Sequence, residues 1–373
     1  MMNDRENIVV VGAGSAGSSI ARQLSKTLNP TKHNLILISP RNYMIHYPSV
    51  IRTLVHTVFD EEHVFIPLEN LFEHGRGTLM VNKVVSIQDE GPHGGYVTLE
   101  DGTNVDWSVL VLAPGSIWEG PFAFPDPRDE CLDHLLKWKR KLQGAKHVVI
   151  AGAGAVGVEL ATELKHRFPD KNVTIVHGQE LPMNDYYPDK WRRVLDRRIR
   201  KQGIKLIIND YIDDLEVENG AVKTRQGQSL VADLVIPCRG GKVNTDFITT
   251  LGDNVLWSSS KCVRIDPAFR LFRHKRIFAA GDVIEWEEQK QLIKALNHAE
   301  MVAKNVISVA RREDPRMIYK GSAEVISLSM GKGRGATYLS YLWGMEFGDM
   351  FTRSWKNKHL VPDGARQRVN VKS

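Results

Sequence analysis

Residues 7–24, NIVVVGAGSAGSSIARQL, return in altered form as residues 147–164, HVVIAGAGAVGVELATEL. In each copy a β-branched run leads into Gly-x-Gly-x-x-Gly, and an amphipathic helical pattern follows. A continuous apolar run such as Ile8–Val11 marks a strand buried on both faces of a parallel sheet. The glycines that follow have separate tasks. Gly12 allows a tight turn, Gly14 lets the backbone approach a pyrophosphate, and Gly17 lets the helix lie close to the strand. Ser15 and Ala16 then open a helix whose positive end faces the phosphates. Gly152, Gly154 and Gly157 repeat the set. One loop of this kind is weak evidence, but two in the same context predict two dinucleotide-binding units in series.

The repeat extends past the loops. TLMVNKVVSIQDE, YVTLEDGTNV and SVLVLAPGS, within residues 78–116, read as a small antiparallel excursion that returns to a buried strand. IKLIINDYIDDLEVENG, AVKTRQGQSL and DLVIPCRGG, within residues 204–241, do the same. A later strand in RIFAAGDVIEW, residues 276–286, ends in Gly281 and Asp282. That carboxylate is expected at the C-terminal edge of a sheet, where open α/β sheets bind ligands. It could accept hydrogen bonds from a ribityl hydroxyl, and the helical pattern after it could stabilise charge on a reduced flavin.

A dinucleotide unit usually ends its second strand on a carboxylate that grips the adenosine ribose. Here NLILIS ends on Ser39, with Arg41 and Asn42 close by, and NVTIVH ends on His177. Without a carboxylate at His177, a 2′-phosphate meets no repulsion and an imidazole could attract it. NADPH is therefore expected to be tolerated beside NADH.

The chain has 373 residues, 42% hydrophobic and 25% charged, enough for two or three soluble domains and unlike disordered, collagenous or membrane-integral sequences. No apolar run reaches the length of a membrane span, and MMNDREN lacks both secretory and myristoylation patterns. An intracellular setting is expected, cytoplasmic or peripheral to a membrane such as that of a mitochondrion or lipid droplet. The net charge of +6 comes from interleaved acidic and basic stretches, so a nucleic-acid partner is not expected. Cys131, Cys238 and Cys262 form neither a CxxC pair nor a metal-ligand spacing, and no metal site is expected.

GAGSAG, VLAPGS, GAGAVGVELA, VIPCRGGKVN and IFAAGDV occur in the order found in the two-dinucleotide-binding flavoproteins, and the chain resembles that superfamily over residues 7–310. It includes glutathione reductases, ferredoxin reductases, type II NADH dehydrogenases and apoptosis-inducing factor. The block GVELATELKHRFPDKNVTIVH and the ending SLSMGKGRG…FGDMFTRSWK look like the branch of apoptosis-inducing-factor homologues that includes ferroptosis suppressor protein and fungal relatives. The resemblance implies an α/β fold of two Rossmann-like domains, arranged as in glutathione reductase, with a small C-terminal subdomain. The expected division is 1–118 and 243–316 for an FAD-binding domain, 119–242 for an NAD(P)H-binding domain, and 317–373 for the C-terminal subdomain and tail.

It further implies hydride transfer from NAD(P)H through FAD to a quinone-like acceptor. FAD would be held by the first glycine loop with Ser39, Arg41, Arg52, Ala113, Gly115, Gly281 and Asp282. NAD(P)H would sit at the second loop with His177 and Gly240. Glu159 is expected on the nicotinamide side of the cleft and Lys290 beside the flavin. His46 is a candidate proton donor to a quinone oxygen, although structural packing or surface exposure remains an alternative for it. His298 reads as a satisfied helical residue. Pro114 and Ser39 depart from the family's threonine and ribose acid, and Glu346 stands where related chains have a basic residue.

Two other readings stay open: a biosynthetic flavoenzyme acting on a specialised metabolite, and a redox-controlled interaction protein of the apoptosis-inducing-factor type. The aromatics Tyr338, Tyr341, Trp343, Phe347, Phe351 and Trp355 could pack on the core, wall an acceptor site, or, with Arg353, Lys356 and Lys358, touch a membrane. The tail GARQRVNVKS is expected to be disordered.

Overall fold

The computed structural model describes residues 5–56, 61–331, 333–340, 345–347 and 362–371. Its two main sheets are copies of one topology. In the first, the strands Thr78–Val81, His33–Ser39, Glu6–Val11 and Val109–Leu112 lie side by side in that order, all parallel. In the second, Lys205–Ile208, Asn172–His177, His147–Ala151 and Leu234–Pro237 repeat it. Each central strand is the β-branched run in front of a glycine loop. Ile8, Val9 and Val10 are fully buried, in a core that takes Ile20 and Val302 from the helices packed on the sheet and Val97 and Trp107 from the antiparallel excursion.

The excursions also match. The first unit inserts the antiparallel strands Val84–Asp89, Gly95–Leu99 and Asn104–Trp107 before its fourth strand. The second inserts the hairpin Ala221–Lys223 and Ser229–Val231. Among the described residues only the first sheet has a fifth strand, Ile277–Ala279, paired in parallel with Val109–Leu112. This strand comes from beyond the second unit and delivers Gly281 and Asp282 to the edge where the first glycine loop lies. The helix after it, Leu292–Ala310, packs on the first loop's helix, Ser15–Thr27.

The two units share a core. The helix Tyr47–Val55, from the first unit's stretch of chain, packs on Arg128–Gly144 and on the second loop's helix Ala155–Arg167. Its Val50, Leu54 and Val55 join a cluster that includes Leu135, Leu160 and Leu164.

The tail departs from expectation. Pro362–Arg368 is helical, and Ala365 and Val369 are buried in the first unit's core. Arg22 donates to Gln367 O, and Asn370 Nδ2 donates to Asn70 O at 3.0 Å. Two apolar residues four apart give this otherwise polar segment one face that burial can hold. Tyr338 packs on Tyr187 and Trp191, each with ring centroids 5.9 Å away. Tyr341, Trp343, Phe351, Trp355, Arg353, Lys356 and Lys358 lie outside the described residues, as do the side chains of Glu346 and Phe347. No helix among the described residues is long and apolar enough to cross a membrane, and no cluster there could hold a metal ion.

Candidate functional site

The glycine loops coincide in their steric detail. Gly12 has φ +96°, and a Cβ there would lie 2.3 Å from Ala113 O; Gly152 has φ +118°, with a Cβ 2.3 Å from Cys238 O. A Cβ on Gly17 would lie 1.8 Å from Gly12 O, and one on Gly157 would lie 2.0 Å from Gly152 O. These four glycines are thus required by the protein's own backbone. Gly14 and Gly154 differ: a Cβ on either meets no protein atom within 4 Å. Each is the N-cap of its helix, where unpaired backbone N–H groups and the helix dipole favour an anion. The open side of each cradle fits a pyrophosphate, as the residue types require.

At the first loop, Asp282 Oδ2 accepts a hydrogen bond from Ser116 Oγ at 2.8 Å, next to Gly115 on the fourth strand's loop. Lys290 Nζ donates to Asp282 O and, at 3.1 Å, to Cys262 Sγ. Gly281, Asp282, Lys290, Lys294 and His298 line one pocket with a volume of about 570 Å³. Lys290 is therefore a member of the Asp282 corner. Ser39 Oγ accepts from Arg41 N–H at 3.2 Å. The Arg41 guanidinium turns away, donating to Phe124 O and Pro125 O and pairing with Asp126 at 2.8 Å. Its expected ribose contact gives way to anchoring the chain between the units.

His46 requires a second correction. It is 2% exposed, and its Nδ1 lies 2.8 Å from Ser49 Oγ. Burial, with the nearby charges of Arg368 and His63, pushes its pKa down to about 4. A neutral, enclosed ring is not a general acid at pH 7, so the packing alternative describes it. Because the folded ring resists protonation while the unfolded one titrates near 6.5, it destabilises the fold as pH drops from 6.5 towards 4. At about 1.4 kcal/mol per tenfold change in proton affinity, the full effect is about 3 kcal/mol. His46→Gln is expected to flatten the fall of the urea midpoint across that window, followed by tryptophan fluorescence. An unchanged pH profile would contradict this assignment.

At the second loop, His177 Nδ1 accepts from Ala153 N–H at 3.2 Å and Nε2 faces Met183 O at 3.1 Å. Both nitrogens are engaged, and burial holds the pKa below its ordinary value. A neutral imidazole buttressing the loop replaces the expected attraction of a phosphate. There is still no carboxylate at this strand end.

Glu159 Oε1 accepts the Ser329 backbone N–H at 2.7 Å. The sequence does not single out its neighbour one turn on, Glu163. Its side chain is 4% exposed, accepts from Ser329 Oγ at 3.0 Å, and meets His56 Nε2 at 3.2 Å and Arg52 Nε at 4.0 Å. Arg52 is thereby placed at the junction of the two units and the C-terminal strand Val325–Ser329. The four-residue spacing of Glu159 and Glu163 was the only available signal, since their partners lie more than 100 residues away.

Comparison with known proteins agrees with this geometry. The profile of the pyridine nucleotide-disulphide oxidoreductases matches residues 6–303. An FAD-dependent oxidoreductase, FVFD30, of Flammulina velutipes is 39% identical over 82% of this chain and 95% of its own length. Human ferroptosis suppressor protein 1 is 27% identical over 95% of this chain and 93% of its own. The fold of the sulfide:quinone oxidoreductase of Aquifex aeolicus superimposes with a TM-score of 0.74 at 18% identity, covering 95% of this chain and 90% of that one.

Proposed function

Because the chain belongs to the pyridine nucleotide-disulphide oxidoreductase family, as an FAD-dependent oxidoreductase that uses NAD(P)H, we propose that it passes a hydride to FAD and then reduces a small, flat, quinone-like acceptor. In this reading the first glycine loop, Ser39, Ala113, Gly115, Gly281 and Asp282 hold FAD. The second loop and Gly240 hold NAD(P)H. FAD supplies the two-electron chemistry when bound, and the protein supplies orientation and electrostatics. Glu159, fixed by Ser329, is positioned to orient the nicotinamide end of the donor. Lys290 braces the Asp282 loop and presents a cation to the pocket. The junction at Glu163 holds the units in register.

The observation that supports direct transfer to a diffusible acceptor is the state of the cysteines. All three are single, buried thiols. Cys131 lies 3.1 Å from the Tyr43 hydroxyl, Cys262 is bonded to Lys290, and burial pushes the Cys238 pKa up to about 12. A dithiol relay needs a paired, reactive thiolate, so electrons are expected to leave FAD directly. The test is anaerobic: protein reduced by NADH is mixed with a panel of quinones, and return of flavin absorbance is timed. Rapid reoxidation by at least one quinone is expected. Bleaching that no quinone reverses would transfer the reading to a different small-molecule acceptor.

The second strand's end at His177 gives a second expectation. With neither a carboxylate nor a charged imidazole there, a 2′-phosphate is neither repelled nor gripped. NADH and NADPH should reduce the flavin with apparent dissociation constants within about tenfold of each other, a difference of about 1.4 kcal/mol. A preference above a hundredfold would show a discriminating group elsewhere.

A further inference from the structure

Behind the Asp282 pocket lies a buried ionic cluster that the hydride-transfer reading does not use. Lys294 stands in the first turn of Leu292–Ala310, where the helix dipole disfavours a cation. Its side chain is 2% exposed, with Nζ 3.5 Å from Glu288 Oε2 and 3.6 Å from Glu324 Oε2. Ser322 O and Ala323 O also accept from it, at 2.7 and 2.9 Å. Glu288 and Glu324 have side chains 5% and 2% exposed. His298 accepts the Gly281 N–H at Nδ1, 3.3 Å away, so its Nε2 carries the proton donated to Glu288 at 2.6 Å.

With both carboxylates ionised, Glu288 and Glu324 place two negative charges around the one ammonium of Lys294, and a single proton on either carboxylate balances them. An unbalanced buried charge is costly, so the location of that proton matters. Glu288 is fully engaged: Oε1 takes His298 and Oε2 takes the Tyr319 hydroxyl at 2.8 Å. Glu324 is not. Its Oε1 accepts from the Tyr187 hydroxyl at 2.7 Å and from Gln291 Nε2, but Oε2 has no hydrogen-bond donor among the described residues. Lys294 and Glu288 face Glu324 from the flavin-binding segment, Tyr187 and Tyr186 from the second unit, and Tyr338 from the strand Gly335–Leu339. Burial raises the Glu324 pKa, whereas the hydrogen bonds from His298 and Tyr319 leave Glu288 below its ordinary value.

We propose that Glu324 takes up one solvent proton when the FAD beside Asp282 accepts a hydride, so that the cluster compensates the negative charge gained in the pocket. Lys294 and His298 line that pocket with Asp282, and His298 is bonded to Gly281, so the new charge arises beside the cluster. A nearby anion raises a carboxylate's pKa, which draws a proton in over the pH range between its values before and after reduction. Glu324 is a positioning residue in this account, since it acts through Lys294 and touches neither cofactor. The proposal rests on FAD occupying the first unit.

The test uses proton counting. Transfer of a hydride from NADH to FAD yields NAD⁺ and FAD carrying that hydride, and it consumes no solvent proton. Any uptake seen by a pH-indicator dye in weakly buffered, anaerobic solution therefore belongs to protonation that follows the transfer. The wild-type holoprotein is expected to take up more than half a proton per flavin bleached at some pH between 5 and 8, and Glu324→Gln at least threefold less. Tyr187→Phe removes a hydrogen bond that favours the carboxylate, so it should move the uptake to higher pH. Equal proton counts in wild type and Glu324→Gln, or no shift in Tyr187→Phe, would overturn the proposal. Failure of the wild-type flavin to bleach would instead overturn the cofactor reading beneath it.

Discussion

Gly152→Val should leave the protein yellow and slow its reduction by NADH by at least about a hundredfold, or about 2.7 kcal/mol. At φ +118° a β-branched residue is strained, and its Cβ would lie 2.3 Å from Cys238 O. The loop must therefore move, and with it the N–H groups at the start of Ala155–Arg167 that would hold the donor's pyrophosphate. The matching change in the first copy, Gly12→Val, meets Ala113 O at the same 2.3 Å. It should yield a colourless protein, because the loop it displaces is the one proposed to hold FAD. The two variants together separate the roles of two loops with the same steric design. A colourless Gly152→Val protein with a yellow Gly12→Val counterpart would reverse the assignment.

Asp282→Ala carries the second large effect. Its carboxylate is oriented by Ser116 Oγ at 2.8 Å and stands where the fifth strand meets the first glycine loop. A hydrogen bond to a charged group contributes about 1.5–3 kcal/mol, so loss of this acceptor should weaken FAD binding by about 10- to 100-fold. Flavin fluorescence released during dialysis measures it. Ser116→Ala only disturbs the orientation and should cost less than about tenfold. Unaltered retention in Asp282→Ala would remove the carboxylate from the site.

What the sequence made legible was whatever the local backbone dictates. Gly12, Gly17, Gly152 and Gly157 are glycines because neighbouring carbonyl oxygens occupy the place of a Cβ. A spacing rule captures that constraint, and it predicts two parallel sheets with helices behind them. The fifth strand was legible too, since Asp282 follows an apolar run. Side-chain roles that depend on long-range partners were not. His46 sits in a segment that suggests a proton donor, but burial 2% from full enclosure suppresses its ionisation. His177 ends the right strand, yet both nitrogens serve the loop. Glu163, Glu288 and Glu324 look like ordinary surface acids in sequence, and only the packing of Ser329, Lys294 and Tyr187 against them shows otherwise. The docked tail is not legible in sequence, because Ala365 and Val369 are too sparse an apolar pattern to reveal a docking face without the surface they meet.

In the proposed reading, one chain brings a resident FAD and a visiting NAD(P)H together through its two glycine loops. Anaerobic titration of the purified protein with NADH, followed at the flavin absorbance band, tests it most directly. One FAD per chain is expected, bleached to completion by one equivalent of NADH. A protein that carries no flavin and gains none when FAD is added, or a bound flavin that neither NADH nor NADPH bleaches, would contradict it.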